Sequence, residues 1–531
     1  MPSGRTKSSD YRSLAPLVKR GGSDQHDLTT LRPPVSPSND APVELSHPGE
    51  DAGVQTFPSA QHPVPRTAGR TEISFPEPPA PEHEAELPYA EALKLKKRRN
   101  REEADRNLLG GDNWLARNGH TFSYAGLFIF TVLVLFRPYE LVPGLGFLSA
   151  TAFYFAAATL LIYVPTQFVT EGNLSHLSTE VKAVLTMTFI ALLTVPIAKD
   201  SGMAWETFSD TFIKAVLMFV VMVNVLRTRQ RLMGMVWLSL SIGVVLSYFA
   251  LGMYMRGEMT VERYRVGGSI KGMFENPNEM SMHLVMMFPI AVTLAIATRS
   301  AVMRGVYLLT AIVLISGNMI TFSRGGFLGL IAAAAVLVWK LGRKNRVQVT
   351  AVSLVSGLLV LLLAPGNYAL RILSIFGLAA DPVGSSGQRQ ELLIRSLLVT
   401  ARNPWGIGIG NFPIVGIQNL VTHNAYTQVS AEIGLLGLAA YMVFMISPFR
   451  KLGAIERVLW SKGETGWYYY LSIGFQASVV AFLVSSFFAS VAYNWYIYYL
   501  IAYVVAFRRI YTLEKGEPEQ TKQNGRVWRT A

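Results

Sequence analysis

The chain has 531 residues, of which 50% are hydrophobic and only 16% are charged. Soluble globular domains carry about 25% charged residues, so the composition excludes an ordinary soluble protein and indicates an integral membrane protein. The absence of cysteine excludes a disulfide-stabilised secreted fold. The net charge of +13 comes from basic residues between apolar segments, so we expect no nucleic-acid partner.

The first 120 residues differ from the rest of the chain. They are rich in proline and charge and show no periodic apolar pattern. Such a segment buries too little apolar surface to offset its chain entropy, so residues 1–120 are predicted to form a disordered cytoplasmic tail. No apolar stretch typical of a signal peptide follows the first charges. Residues 88–106 predict a basic juxtamembrane helix, which either anchors the chain at the membrane or serves as a regulatory docking site.

Apolar stretches long enough to cross a bilayer recur from residue 121 onward. Helices are the structure expected, because no dyad alternation typical of a membrane β-barrel occurs. The sequence therefore predicts an all-α polytopic membrane protein with about twelve transmembrane helices in a domain covering 121–510. The predicted spans are 121–136, 148–169, 181–198, 211–226, 232–254, 281–298, 305–322, 326–341, 348–364, 429–448, 467–487 and 489–507.

Basic residues gather in alternate connections, which predicts the orientation by the positive-inside rule. Both termini are expected in the cytoplasm, with 511–531 as a short cytoplasmic tail. The clusters that set this orientation are Arg227, Arg229 and Arg231; Arg299 and Arg304; Lys340, Arg343, Lys344 and Arg346; Arg450, Lys451, Arg457 and Lys462; and Arg508 and Arg509.

Two external segments, about 256–280 and 365–428, are too long to be simple connections. The second is a large loop before the last three helices. Both are basic on the side where the rule predicts few positive charges, which favours an anionic ligand there over lipid headgroups alone. The cations are Arg256, Arg263, Arg265 and Lys271 in the first segment, Arg371, Arg389, Arg395 and Arg402 in the second, and Arg324 at a helix end.

The second external segment contains its own helix. Leucines recur with helical spacing over 388–401, with Arg389 and Arg395 on the other side, which predicts an amphipathic helix at the membrane interface. Asn403-Pro404 ends it. The glycine run 406–410 lacks the strand and the acidic residue of a dinucleotide site. We expect a tight turn that approaches either a ligand or the helix beneath it.

Histidine is scarce on the predicted outer face. Of eight histidines, only His283 and His423 can reach that face. His423 follows the basic loop at the mouth of a spanning helix, where a neutral imidazole could act as a general base. A structural histidine is the alternative.

Four motifs together resemble the O-antigen ligase / Wzy-type polymerase superfamily over about residues 120–510. They are GMFENPNEMS after a basic loop, TFSRGGFLGL, NPWGIGIGNF, and HNAYTQVSAEIGLLGL, with RPYE at 137–140 in addition. The tail has no counterpart in that family. The chain departs from the family pattern before Gly272, where Lys271 or Arg265 would replace the usual arginine.

The resemblance implies transfer of a glycan from undecaprenyl diphosphate to an acceptor hydroxyl, in lipopolysaccharide or exopolysaccharide assembly at the cell envelope. It places the protein in the bacterial inner membrane with a periplasmic active site. Partners would be the lipid-linked glycan, membrane lipids, and an acceptor that is a glycan, lipid A core or a glycoprotein. The implied base is His423, the diphosphate ligands are Arg324, Arg265, Lys271 and Arg389, and the supporting residues are Asn276, Asn278, Asn424, Tyr426 and Glu432.

We expect no cofactor and a metal-independent, inverting mechanism, because no Asp-x-Asp motif or external carboxylate cluster occurs. A polytopic transporter or flippase of lipid-linked glycans is the main alternative. Such proteins tend to show paired repeats with charges at mid-membrane, whereas here the charges gather at one face. The sequence does not separate ligation, polymerisation and protein glycosylation.

Overall fold

The computed structural model describes residues 114–142, 144–259, 261, 265–268, 270, 272–364, 368 and 385–516. Several predictions lie outside these residues. They concern the tail up to residue 113, the juxtamembrane helix, the C-terminal tail from residue 517, much of the second external segment, and Lys271.

Helices form almost all of the described chain. No β-strand occurs among these residues, and one isolated antiparallel bridge pairs Val261 with Arg265. We label the long helices α1 (Trp114–Thr131), α2 (Thr151–Glu171), α3 (Thr179–Thr194), α4 (Ser201–Val225), α5 (Arg229–Met255), α6 (Pro277–Ala297), α7 (Ala301–Ile320), α8 (Arg324–Leu341), α9 (Arg346–Leu363), α10 (Ser385–Arg402), α11 (Ala425–Ser461), α12 (Trp467–Ser485) and α13 (Trp495–Lys515).

Within the described ranges, 9 helices are long and apolar enough to cross a membrane. This confirms the prediction of an all-α polytopic membrane protein. The predicted spans 181–198, 348–364 and 489–507 also form helices, α3, α9 and α13, but these fall outside the nine. The total of twelve and the orientation of the termini stay predictions.

The centre of the bundle is built from α6 and α12, the two most buried spans, which pack against each other and against α8. Two glycines allow α8 to approach so closely. A Cβ at Gly326 would lie 1.6 Å from Ser281 Oγ of α6, and a Cβ at Gly329 would lie 2.0 Å from Ser485 Oγ of α12. The glycines of the SRGGFLGL motif therefore place the first turn of α8 between the two central helices.

Three carboxylates mark one end of the bundle, two of them fully buried and Glu171 nearly so, and each is held by two cations. Glu171 pairs with Arg227 (2.8 Å) and Arg509 (2.9 Å), Glu180 with Lys451 (2.9 Å) and Arg508 (2.9 Å), and Glu456 with Lys340 (2.7 Å) and Arg343. Their partners come from four of the five basic clusters that the positive-inside rule assigns to one side. Because α8 and α11 begin at Arg324 and Ala425 and end among these ion pairs, their first residues lie at the opposite end.

Labelling of single introduced cysteines tests the predicted sidedness, since the native chain has no cysteine to interfere. We expect a cysteine at Ser385 to react with an impermeant reagent from outside intact spheroplasts. A cysteine at Asn345 should react only after the membrane is opened. Labelling of both positions from the same side would contradict the predicted topology and the external active site.

Candidate functional site

A cavity of about 230 Å³ opens at the end of the bundle opposite the buried ion pairs. It brings together Arg324 from the start of α8, Arg389 from α10, and His423 and Asn424 from the turn before α11. Ligand pockets for whole small molecules measure roughly 300–1,000 Å³, so this cavity suits the reacting groups of a larger substrate. The remaining lining residues are Leu328, Gln390, Leu393, Thr422, Phe487 and Phe488.

Arg324 is the first residue of α8 and follows the N-cap residue, Ser323. The Ser323 side chain accepts a hydrogen bond from the Gly326 N–H at 3.2 Å. A helix N-terminus carries partial positive charge, and α11 also begins at the cavity. Two helix N-termini and two guanidinium groups therefore give this cavity a positive potential suited to an anion.

His423 is held in a strained backbone conformation. Its φ is 53°, in the left-handed region that residues with a Cβ rarely adopt. Thr422 Oγ1 lies 2.8 Å from Ser490 Oγ on one side, and on the other side Asn424 Oδ1 accepts from the N–H groups of Tyr426 (2.9 Å) and Thr427 (3.1 Å). The contacts of its neighbours enforce this conformation, as is common for residues at functional sites.

The His423 imidazole is neutral at neutral pH. Burial, together with the positive charge of nearby Arg389, lowers its pKa from 6.5 to about 4. A neutral ring has one nitrogen with a free lone pair, so it can accept a proton from an approaching hydroxyl group.

Arg389 reaches the cavity from the helix predicted in the second external segment. The helix predicted over 388–401 is present as α10, which covers Ser385–Arg402. The predicted division of its faces is wrong, because Arg389 lines the cavity together with Leu393, and Arg395 is exposed as Leu397 and Leu398 are. The inner face of α10 packs on α11 through buried Leu392 and a 3.0 Å contact between the hydroxyls of Thr400 and Ser430. Leu397 and Leu398 are exposed on the other face, as expected for a helix that rests on lipid.

The glycine run approaches the helix beneath it. α11 is broken at Gly434, where φ is 80° and ψ is 179°. The N–H groups of Ile407 and Gly408 donate to the carbonyls of Ala431 (3.0 Å) and Glu432 (2.9 Å), which the break leaves without helical partners. Of the two alternatives for this turn, a ligand or the helix beneath it, the structure shows the helix. The loop that follows α10 is thereby hydrogen-bonded to α11.

The other candidate residues of α11 lie beside the cavity, and none of them lines it. The Tyr426 hydroxyl donates to Leu483 O of α12 at 2.6 Å. The Glu432 side chain is buried near the backbone of Gly410 and Phe412 and the hydroxyl of Tyr493. Both therefore support the fold around His423.

The candidates of the first external segment brace α6 and α8. Asn276 caps α6 by accepting from the Asn278 N–H at 2.9 Å. Asn278 Oδ1 accepts from Arg265 Nη2 at 2.8 Å and from Ser323 Oγ at 2.9 Å. Arg265 is buried and is absent from the cavity lining, and Lys271 lies outside the described residues.

His283 does not reach the cavity. It is a buried residue of α6, and its Nε2 lies 3.0 Å from Ser239 O of α5. Phe487 and Phe488, which form one wall of the cavity, were missed by the sequence analysis. Phenylalanine is common in membrane-spanning helices, so the pattern SSFF carried no specific signal. Across the described part of the chain, no group of three or more His, Asp or Glu side chains could hold a metal ion.

Residues 309–442 match the family model described as O-antigen ligase. The matched range contains Arg324, Arg389 and His423, the three charged or titratable side chains of the cavity. No curated protein matches the chain. This is a multi-pass membrane protein, and its segment 309–442 is similar to the O-antigen ligase domain.

Proposed function

We propose that the protein transfers a glycan from undecaprenyl diphosphate to an acceptor hydroxyl, at the cavity on the outer face of the bacterial inner membrane. The observation that carries this proposal is the meeting of Arg324, Arg389 and His423 in one cavity, from three elements far apart in the sequence. A base beside two cations is the arrangement needed when a hydroxyl displaces an anionic leaving group.

The arginines have the task of stabilising the leaving group. As the bond between the anomeric carbon and the diphosphate breaks, negative charge grows on the phosphate oxygens. Guanidinium forks donate two parallel hydrogen bonds to such oxygens, and Arg324 of α8 and Arg389 of α10 both line the cavity. They supply positive charge where a metal ion would otherwise be needed, so we propose a metal-independent reaction.

His423 has the task of accepting a proton. The acceptor hydroxyl oxygen forms the new bond to the anomeric carbon from the face opposite the diphosphate, and its proton passes to the free ring nitrogen. The product has the inverted configuration, and undecaprenyl diphosphate leaves. The acceptor is a growing glycan, lipid A core or a glycoprotein, and the glycan remains largely outside a cavity of about 230 Å³.

Reconstitution tests this proposal. Purified full-length protein in liposomes, given a lipid-linked oligosaccharide and an acceptor, should release undecaprenyl diphosphate and glycosylate the acceptor, also in the presence of EDTA. A deletion strain then separates the variants of the activity: single repeat units indicate a polymerase, and accumulated long lipid-linked chains indicate a ligase. Movement of intact donor across the bilayer without bond cleavage would support a flippase and contradict the proposal.

The pH profile should report the lowered pKa of His423. In the free enzyme kcat/KM depends on the neutral imidazole, so it should stay level as the pH falls through 6.5 and drop only near about 4. Since the Arg389 charge contributes to this low pKa, Arg389→Gln should move the inflection to higher pH while lowering the plateau. An inflection near 6.5 in the native protein, with full recovery on return to neutral pH, would contradict this assignment.

A further inference from the structure

Arg265, in the first external segment, has a buried side chain whose hydrogen bonds go to other residues of the protein. Its side chain is only 3% exposed. Its backbone pairs with Val261 in both directions, with N···O distances of 3.0 Å. Its Nε donates to Thr321 O at 2.9 Å, and its Nη2 donates to Asn278 Oδ1 at 2.8 Å. Nε has a single hydrogen, so a phosphate contact through Nε would break its bond to Thr321 O.

The segment that Arg265 holds is the sharp turn between α7 and α8. Phe322 in this turn has φ 49°, a conformation that persists in a residue with a Cβ only when surrounding contacts enforce it. Arg265 binds the residue before Phe322 through Thr321 O. It binds the residue after Phe322 indirectly, because Asn278 Oδ1 also accepts from Ser323 Oγ at 2.9 Å.

Ser323 connects the hydrogen bonds of Arg265 and Asn278 to the cavity. Its hydroxyl oxygen caps α8 by accepting from the Gly326 N–H, and the next residue in the chain is Arg324. The direction in which the Arg324 side chain leaves the helix start therefore depends on the turn that Arg265 and Asn278 hold together.

We infer that Arg265 is a positioning residue, which directs Arg324 into the cavity and does not itself bind the diphosphate. The inference rests on the proposed function, in which Arg324 is a diphosphate ligand. The sequence analysis names both arginines as candidate diphosphate ligands, whereas this inference gives them different tasks. Arg324 binds the diphosphate of the donor, and Arg265 holds the turn between α7 and α8.

Binding of undecaprenyl diphosphate to the purified full-length protein in detergent tests the inference by non-additivity. Arg324→Ala and Arg265→Gln should each weaken binding by roughly tenfold or more, the loss expected for a hydrogen bond to a charged group. In the Arg324→Ala background, Arg265→Gln should add less than about a twofold loss, because both changes act through one contact. Arg256→Gln is the matched control, since Arg256 is exposed in the same segment and pairs with Glu258; it should leave binding unchanged.

Asn278→Ala gives a second test that leaves both arginines in place and serves if Arg265→Gln fails to fold. A positioning role predicts weaker binding that again disappears in the Arg324→Ala background. A direct ligand role for Arg265 predicts binding that is unchanged or tighter, because the guanidinium loses an internal partner. A further tenfold loss in the Arg265→Gln, Arg324→Ala double variant would overturn this inference alone. Unchanged binding in Arg324→Ala itself would overturn the proposed diphosphate site and the inference with it.

Discussion

Replacement of His423 by alanine should slow glycan transfer by about 10²–10⁴-fold, the usual contribution of a general base. Binding of the lipid-linked donor should survive, because the cations Arg324 and Arg389 that would hold it remain in place. Single-turnover assays with purified protein and lipid-linked donor, beside a separate binding measurement, would show the two effects independently.

The backbone at His423 allows a sharper comparison. Its φ of 53° lies in the left-handed region, which asparagine, like histidine, adopts more readily than most residues with a Cβ. His423→Asn should therefore unfold at the same temperature as the native protein or higher, and still be inactive. Asn424→Ala is the matched control, because it removes the cap of α11 and should cost about 1 kcal/mol of stability with a smaller loss of turnover. Full turnover by His423→Gln would exclude the general-base role.

The membrane spans could be predicted from hydropathy because a helix must place roughly 20 apolar residues in the hydrocarbon. The helix ends could not be predicted in this way. α11 was expected at 429–448 and extends over Ala425–Ser461, since its last turns leave the apolar region and are held by ion pairs of Glu456 with Lys340 and Arg343. The sequence predicts α4 from residue 211, but the helix begins at Ser201, where the Asp200 side chain caps its first turn by accepting from the Met203 N–H.

The candidate arginines could be predicted from the sequence because they lie in predicted external segments, where the positive-inside rule predicts few basic residues. Their tasks could not be assigned, since an arginine's task depends on where its side chain points. The Arg265 side chain donates to a backbone carbonyl and to an amide oxygen, while Arg389 of α10 lines the cavity. Phe487 and Phe488 could not be predicted as lining residues, because they join the cavity only through the tertiary contact between the segment after α12 and the turn before α11.

The strained residues at the site share one property. Phe322 and His423, both with φ near 50°, stand directly before the capping residues of α8 and α11. Each helix start at the cavity is thus preceded by a turn that other contacts must enforce, by Arg265 and Asn278 in one case and by Ser490 in the other. In the proposed reaction, this arrangement would preorganise Arg324 and His423 before substrate arrives and so lower the reorganisation needed.

Replacement of Arg324 by alanine should reduce glycan transfer by at least the order of 10²–10³-fold seen when one preorganised charge-stabilising donor is removed. The loss should appear in donor binding and in turnover together, because the negative charge on the diphosphate is present in the substrate and increases as it leaves. Arg324→Lys should keep a small fraction of the activity, since the point charge survives but the bidentate fork does not. Assays of purified variants with lipid-linked donor, at several donor concentrations, would separate the two contributions.

Arg304→Ala is a suitable control for this loss, because Arg304 is an arginine of α7 whose Nη2 donates to Thr298 O, away from the cavity lining. It should insert normally and keep its activity. Raised ionic strength should weaken donor binding to the native protein more than to Arg324→Ala, as expected when a cation has been removed from a charged site. If the alanine variant is inserted at the native level and keeps native activity, Arg324 contacts lipid headgroups, and the diphosphate must be held elsewhere.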